Sequence, residues 1–318
     1  MAATIKDIAN PALAILARAM ILLAFSEFLF LNEGPVIGLL RSGDLWASTA
    51  HLLSITGFYL LSGGLLFALE HRITNWASCI LVGAFIGWSI EGALVPAVYE
   101  APPFSFLWTS IAWHAPVDVW FGMLILPALA SERLTVRGVT LVGVMGVLWG
   151  FWASWTWPTL ILSAGEFTIL ALVTVGLLAA GYALLRVTGP SARCGPRLGW
   201  SLIGLNLMAA LLWASMAPLG AAMLAPLIVL NIVVLRAAGS TPAPTRTTAP
   251  RLWSTLVYLA VMAGVACVIY DLVASFGLSI GGEDLAALAA LAGTLIWVAA
   301  LVWVARNAWR ARKDRARR

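Results

Sequence analysis

Ten predominantly apolar stretches, each roughly 20 residues long, follow one another along this chain of 318 residues. A hydrocarbon layer of about 30 Å takes roughly 20 residues of helix to cross, and lipid offers a backbone amide no partner. A stretch of this length therefore reads as a helix whose hydrogen bonds close on themselves. The stretches lie at about 11–32, 47–69, 76–98, 107–130, 138–157, 167–187, 198–216, 218–236, 253–276 and 285–306. The seventh and eighth are separated only by Met216-Ala217-Pro218-Leu219-Gly220, but their combined run is nearly twice one membrane thickness. The expected fold is all-α, a polytopic helical membrane protein of about ten transmembrane helices. Composition agrees: 62% of residues are apolar and 10% charged, with a mean hydropathy of +0.96, where a soluble domain carries roughly 25% charge.

Several function classes drop out at once. Cys79, Cys194 and Cys267 are far apart and form no CxxC pair, which argues against a disulfide framework or a structural zinc site. Three histidines are too few for a multi-haem protein, and the two lysines, Lys6 and Lys313, stand near the termini. No lysine is left inside an apolar run to hold a carbonyl cofactor as a Schiff base. The composition points to no particular cofactor, and a nucleic-acid partner is not expected.

The basic residues set a direction. With the N-terminus in the cytoplasm, 17 of the 19 fall on cytoplasmic segments; Arg41 alone is on an outer loop and Arg18 lies within the first span. This bias obeys the positive-inside rule at every loop, and an odd number of spans would break it. Both termini are expected to be cytoplasmic, in a multi-pass protein of a prokaryotic plasma membrane. No cleavable signal peptide is apparent, because Arg18 interrupts the first apolar run. The chain is expected to divide into a bundle over 1–236, with its polar site in the first four spans, a linker over 237–252, a hairpin of two spans over 253–306 and a basic tail over 307–318. The linker contains Gly239-Ser240-Thr241-Pro242-Ala243-Pro244. The tail suits anionic headgroups.

Ionisable groups in hydrocarbon cost several kcal/mol and usually face a bundle interior or a wet cavity, so each is a candidate site residue. Seven lie within the spans: Arg18, Glu27, His51, Glu91, His114, Asp118 and Asp271. At about 1.5 Å of rise per residue, all but Arg18 belong to the outer half of the membrane. Arg18 can snorkel to the inner headgroups. In Trp113-His114-Ala115-Pro116-Val117-Asp118 the ionisable pair is four residues apart and shares a helical face, so the carboxylate can orient the imidazole. Pro116 should loosen the backbone one turn earlier, near Ala112. Glu91 is followed by Gly92, which lets another backbone approach, and by an outer loop containing Tyr99, Pro102 and Pro103. A carboxyl held in hydrocarbon favours its protonated form and can donate a proton at neutral pH. Glu91, His114 and Asp118 are thus the candidate catalytic residues. Glu27, His51 and Asp271 are supporting polar groups, or interfacial ones if the span ends shift by a turn. The structural alternative for the trio is interhelical glue, with Glu91 bonded to His114.

Tryptophan is abundant, 16 in all. Trp149 and Trp152 share a face of the fifth span, as do Trp152 and Trp155, while Trp88, Trp108 and Trp113 lie at similar depth. An interfacial aromatic belt is one reading. The other is a pocket wall, formed by Trp88, Trp113, Trp149, Trp152 and Tyr99, whose π faces stabilise a cation. Three functions accommodate these features. The first is an intramembrane enzyme using acid/base chemistry on a lipid-like substrate of isoprenoid or polyprenyl type, with membrane lipid as its partner. A metal-binding variant of it lacks the helical Glu-x-x-His pairs of di-iron bundles and ranks below the metal-free form. The second is a proton-coupled carrier of small, cationic or lipid-like ligands, as ten spans in two repeats would suit, although the candidate acids cluster in the first four spans. The third is a non-catalytic subunit of a membrane complex. Oligomeric state is not legible.

Overall fold

The computed structural model describes residues 5–30, 36, 38, 40–41, 43–154, 162–188, 194–237, 250–277 and 282–316, and among these there is no strand. Eleven α-helices are used below: α1 Ile5–Leu23, α2 Leu45–Leu69, α3 Trp76–Ser89, α4 Phe104–Ala112, α5 Leu126–Ser131, α6 Val136–Ala153, α7 Ala164–Thr188, α8 Pro196–Met216, α9 Pro218–Ala237, α10 Leu252–Ser275 and α11 Gly282–Ala316. Three wider, π-helical segments continue or join them: π1 Ala24–Phe28, π2 Ile90–Leu94 and π3 His114–Ile125. Among the described residues ten helical stretches are long and apolar enough to cross a membrane. The chain is an all-α, multi-pass membrane protein, with α4, π3 and α5 together making the fourth span.

The break between the seventh and eighth spans is a single residue. Ala217 leaves the helical region at φ −133°, ψ 61°, and Pro218 opens α9, where its missing N–H costs nothing. Residues 238–249 of the expected linker, together with Trp155 and Trp157, lie outside the described residues.

Contacts group the helices into two compact units, and the grouping does not follow chain order. Unit 1 comprises residues 1–63, 122–193 and 246–285; unit 2 comprises 64–121, 194–245 and 286–318. In unit 1, α10 packs along α6 and α7, and α1 along α7. Two hydrogen bonds tie its helices to irregular or widened backbone: Tyr182 Oη donates to the Gly122 carbonyl at 2.6 Å and Tyr270 Oη to the Leu162 carbonyl at 2.6 Å. Phe167 stacks on Tyr270 with ring centroids 4.2 Å apart.

Unit 2 is organised around α3, which starts at a reciprocal cap: Asn75 Oδ1 accepts from the Ser78 amide, and Ser78 Oγ accepts from the Asn75 amide. The span it opens is 83% buried. Such burial needs close helix contact, and two glycines provide it. A Cβ on Gly87 would collide with the Ser110 carbonyl, and one on Gly83 would lie 2.6 Å from the Ala115 Cα. The small residues let α3 lie directly against α4 and the start of π3, in the way small residues bring membrane helices together.

Neutral amides then anchor the later spans to α3. Asn231 on α9 donates to the Leu81 carbonyl at 2.8 Å and accepts from the Trp297 indole of α11 at 3.2 Å. Asn206 on α8 accepts from Ser89 Oγ at 2.5 Å. Each buries polar groups in pairs, which avoids the roughly 1–3 kcal/mol cost of an unsatisfied one.

Candidate functional site

The site follows from how two helices of unit 2 end. α3 widens at π2, where the Val95 amide donates five residues back to the Ile90 carbonyl at 3.1 Å. Across from it, α4 stops at Ala112, one turn before Pro116. Proline has no N–H to return to Ala112, and its ring crowds that carbonyl. The expected loosening near Ala112 is therefore present, and the helix resumes as π3 from His114 to Ile125. Widened turns of this kind are frequent at functional sites. Here they carry Glu91, His114 and Asp118.

The three side chains form one continuous line. His114 Nδ1 is 2.7 Å from Asp118 Oδ2, and His114 Nε2 is 3.0 Å from Glu91 Oε1. Burial is graded along it: the Glu91 side chain is 12% exposed, His114 3% and Asp118 0%. Asp118 Oδ1 has no hydrogen-bond partner among the described residues. The imidazole bridges the third and fourth spans, and Glu91 is the only member with appreciable access from outside.

The order of groups decides what the line can do. The imidazole stands between the carboxyls and gives one nitrogen to each, so the three groups do not converge on a common point. Among the described residues no three His, Cys, Asp or Glu side chains are placed to hold a metal ion. The arrangement instead suits protons. With an imidazolium between two carboxylates, both N–H groups donate. Moving one proton onto either carboxyl leaves a neutral imidazole that donates to one neighbour and accepts from the other. All three forms carry the same net charge of −1, so a proton shifts along the line without charging the site. An added proton on Glu91 brings the net charge to zero, and the adjacent imidazolium stabilises the carboxylate left when that proton departs.

The other candidates fall in two groups. Trp88, Trp113 and Tyr99 share unit 2 with the line. Trp88, one turn before Glu91, is 4% exposed; its indole donates to the Phe106 carbonyl at 3.1 Å, and its ring meets Phe85 and Trp297 edge-on. Trp113 is half-buried. The Tyr99 hydroxyl donates to the Ala210 carbonyl at 3.4 Å, and burial pushes its pKa above the ordinary value. Gly92 is approached by side chains rather than backbone: a Cβ there would lie 3.0 Å from Val98 and 3.4 Å from the Tyr99 hydroxyl.

Glu27, His51, Asp271, Trp149 and Trp152 belong to unit 1. Glu27 lies in π1 and accepts from the Tyr59 hydroxyl, which also bonds Ser26. His51 is half-buried on α2, and Asp271 is exposed. Trp149 is buried edge-on to Phe167. Trp152 donates to the Phe30 carbonyl at 2.9 Å. Sequence reasoning missed Tyr59, Asn206 and Asn231. The available signal was an uncharged polar side chain within an apolar run, which seeks a partner as an acid does.

No protein-family model, curated protein or solved structure matches the chain.

Proposed function

We propose that the protein is an intramembrane enzyme that performs acid/base chemistry on a lipid-like substrate, with Glu91 as the group that meets the substrate. The observation that carries this reading is the line Glu91–His114–Asp118, partly accessible at Glu91 and fully buried at Asp118. It has the logic of a base held by a third, buried group, with one more carboxyl placed between the imidazole and the outside.

For an isoprenoid alkene the steps balance without another reactant. The π electrons of a C=C bond take the proton from the Glu91 carboxyl, forming a C–H bond and a carbocation, while the O–H electrons remain on Glu91 as a carboxylate facing the imidazolium. Glu91 then removes a proton from the carbon on the other side of the cation, and the C–H electrons close a shifted double bond. His114 and Asp118 do not touch substrate; they hold the charge that Glu91 gains and loses. Tyr99, whose hydroxyl lies beside Gly92, is the aromatic side chain next to Glu91 and would offer a face to a cation, whereas the Trp88 ring is packed against Phe85 and Trp297. The outer-half depth of the line rests on the positive-charge bias of the loops.

The test incubates the purified full chain in liposomes of polyprenyl phosphate and phosphatidylglycerol and follows the lipids by mass-resolved chromatography in deuterated water. Deuterium incorporation into the polyprenyl chain, lost in Glu91→Gln, supports the reading. No exchange in the wild-type protein overturns it for this substrate class.

A second reading is favoured by one observation, the division into two compact units. Carriers with a proton-coupled site are often built from two bodies, and a proton line is as useful to them. Vesicles loaded with a pH-sensitive dye would separate the two: ligand-driven acidification that needs Glu91, without any change in the lipid, identifies a carrier.

A further inference from the structure

Unit 2 contains a second feature that the proton line does not use. At the end of the unit where α2 and α9 finish and α8 begins, a cavity of about 540 Å³ opens among Leu65, Phe85, Ile203 and Ile232, with Arg72 and Arg236 on its lining. This volume is typical of a ligand site, as is an apolar body carrying a few polar groups. Glu91 lies in π2, beyond the end of α3, and neither it nor His114 or Asp118 is on the lining, so the two sites are separate.

Three observations give the cavity a charge preference. Its lining includes two guanidinium groups and no carboxylate among the described residues. Neither Arg72 nor Arg236 forms an ion pair with any described residue. α8, 21 residues long, starts on the lining at Gly195 and Pro196; its N-cap Gly195 has no side chain to cap it, so the positive end of its dipole lies at this end of the cavity. Both arginines terminate membrane spans, which places them at headgroup depth, while Leu65, Phe85 and Ile203 lie deeper along their helices.

We infer that this cavity binds a phospholipid with an anionic head, its phosphate held by Arg72 and Arg236 at the mouth and an acyl chain laid against Leu65, Phe85 and Ile203. Basic pockets between membrane helices have this chemistry, and guanidinium groups pair well with phosphate oxygens. A lipid satisfies both halves of the site, whereas free phosphate leaves the apolar body uncovered.

Native mass spectrometry of the detergent-purified full chain tests this, with dioleoylphosphatidylglycerol and dioleoylphosphatidylcholine in separate arms. The expected result is one retained phosphatidylglycerol, bound about tenfold more tightly than phosphatidylcholine. R72Q/R236Q should abolish that preference, and Ile203→Trp, which fills the cavity and keeps both charges, should weaken both lipids. An unchanged melting transition by tryptophan fluorescence checks that each variant is folded. The inference is overturned if R72Q/R236Q retains the preference, if Ile203→Trp binds both lipids like the wild type, or if millimolar inorganic phosphate displaces the bound lipid.

Discussion

Replacing the whole line Glu91–His114–Asp118 by apolar side chains should disturb folding less than removing its central member alone. His114→Ala takes away both hydrogen bonds, at 2.7 and 3.0 Å, and leaves a carboxylate at 0% exposure whose other oxygen has no partner among the described residues. Breaking a buried ion pair in this way costs about 3–5 kcal/mol, because a buried charge is left uncompensated. Protonation of Asp118 relieves part of that cost, so the loss should fall near 3 kcal/mol. That is a large share of the roughly 5–15 kcal/mol by which proteins are stable. Glu91→Met, His114→Leu and Asp118→Leu together remove the charges and keep much of the volume, and such replacements are commonly neutral or stabilising by about 1–4 kcal/mol. Unfolding in mixed micelles, followed through the 16 tryptophans, measures both. A triple variant destabilised as much as His114→Ala would refute the reasoning, since the line would then be fastening helices. A stable triple variant means the ionisable groups are not needed for the fold.

Other substitutions test other parts of the structure. Gly87→Ala puts a methyl onto the Ser110 carbonyl and should cost about 1–3 kcal/mol by the same assay, whereas Gly143→Ala, with nothing within 4 Å, should be neutral or stabilising by up to about 1 kcal/mol. Asn231→Leu unpairs the Trp297 indole and removes the second hydrogen bond to the Leu81 carbonyl, which keeps its bond within α3, and should lower stability by about 1–3 kcal/mol; an unchanged unfolding midpoint would count against that anchor. Burial raises the Tyr99 pKa from its ordinary value of 10.0, so the folded chain keeps that proton to higher pH than the unfolded chain. Its contribution is complete below about pH 10 and lost as pH rises beyond. Melting scans should show a fall in midpoint above pH 10 that is shallower in Tyr99→Phe.

The helical framework was readable because each step rested on a strong constraint. Lipid forces every span into a helix, and Ala217-Pro218 sufficed to divide a run too long for one crossing. His114 and Asp118 were readable as a pair from their spacing, and Pro116 foretold the end of α4 at Ala112. The bond from Glu91 to His114 was legible only as the interhelical alternative, because it depends on how closely α3 and α4 approach. Gly83 and Gly87 decide the approach, and a glycine in an apolar run does not announce which backbone it will meet. The widened turns at Ala24–Phe28 and Ile90–Leu94 leave no mark in hydropathy, since they change the register of hydrogen bonds and not the side chains. The aromatic wall rests on helical spacing within the fifth span and, between spans, on depth. Depth cannot separate Trp88 and Trp113, in one unit, from Trp149 and Trp152, in the other.

The central claim is that protons are shared along Glu91–His114–Asp118. Nitrogen NMR of the ring of His114, in protein labelled at histidine and assigned against His51→Gln and His71→Gln, addresses it most directly. The line predicts that Asp118→Asn shifts the Nδ1 resonance first and Glu91→Gln the Nε2 resonance first, with both nitrogens responding to pH together in the wild type. Ring resonances indifferent to both substitutions would contradict it.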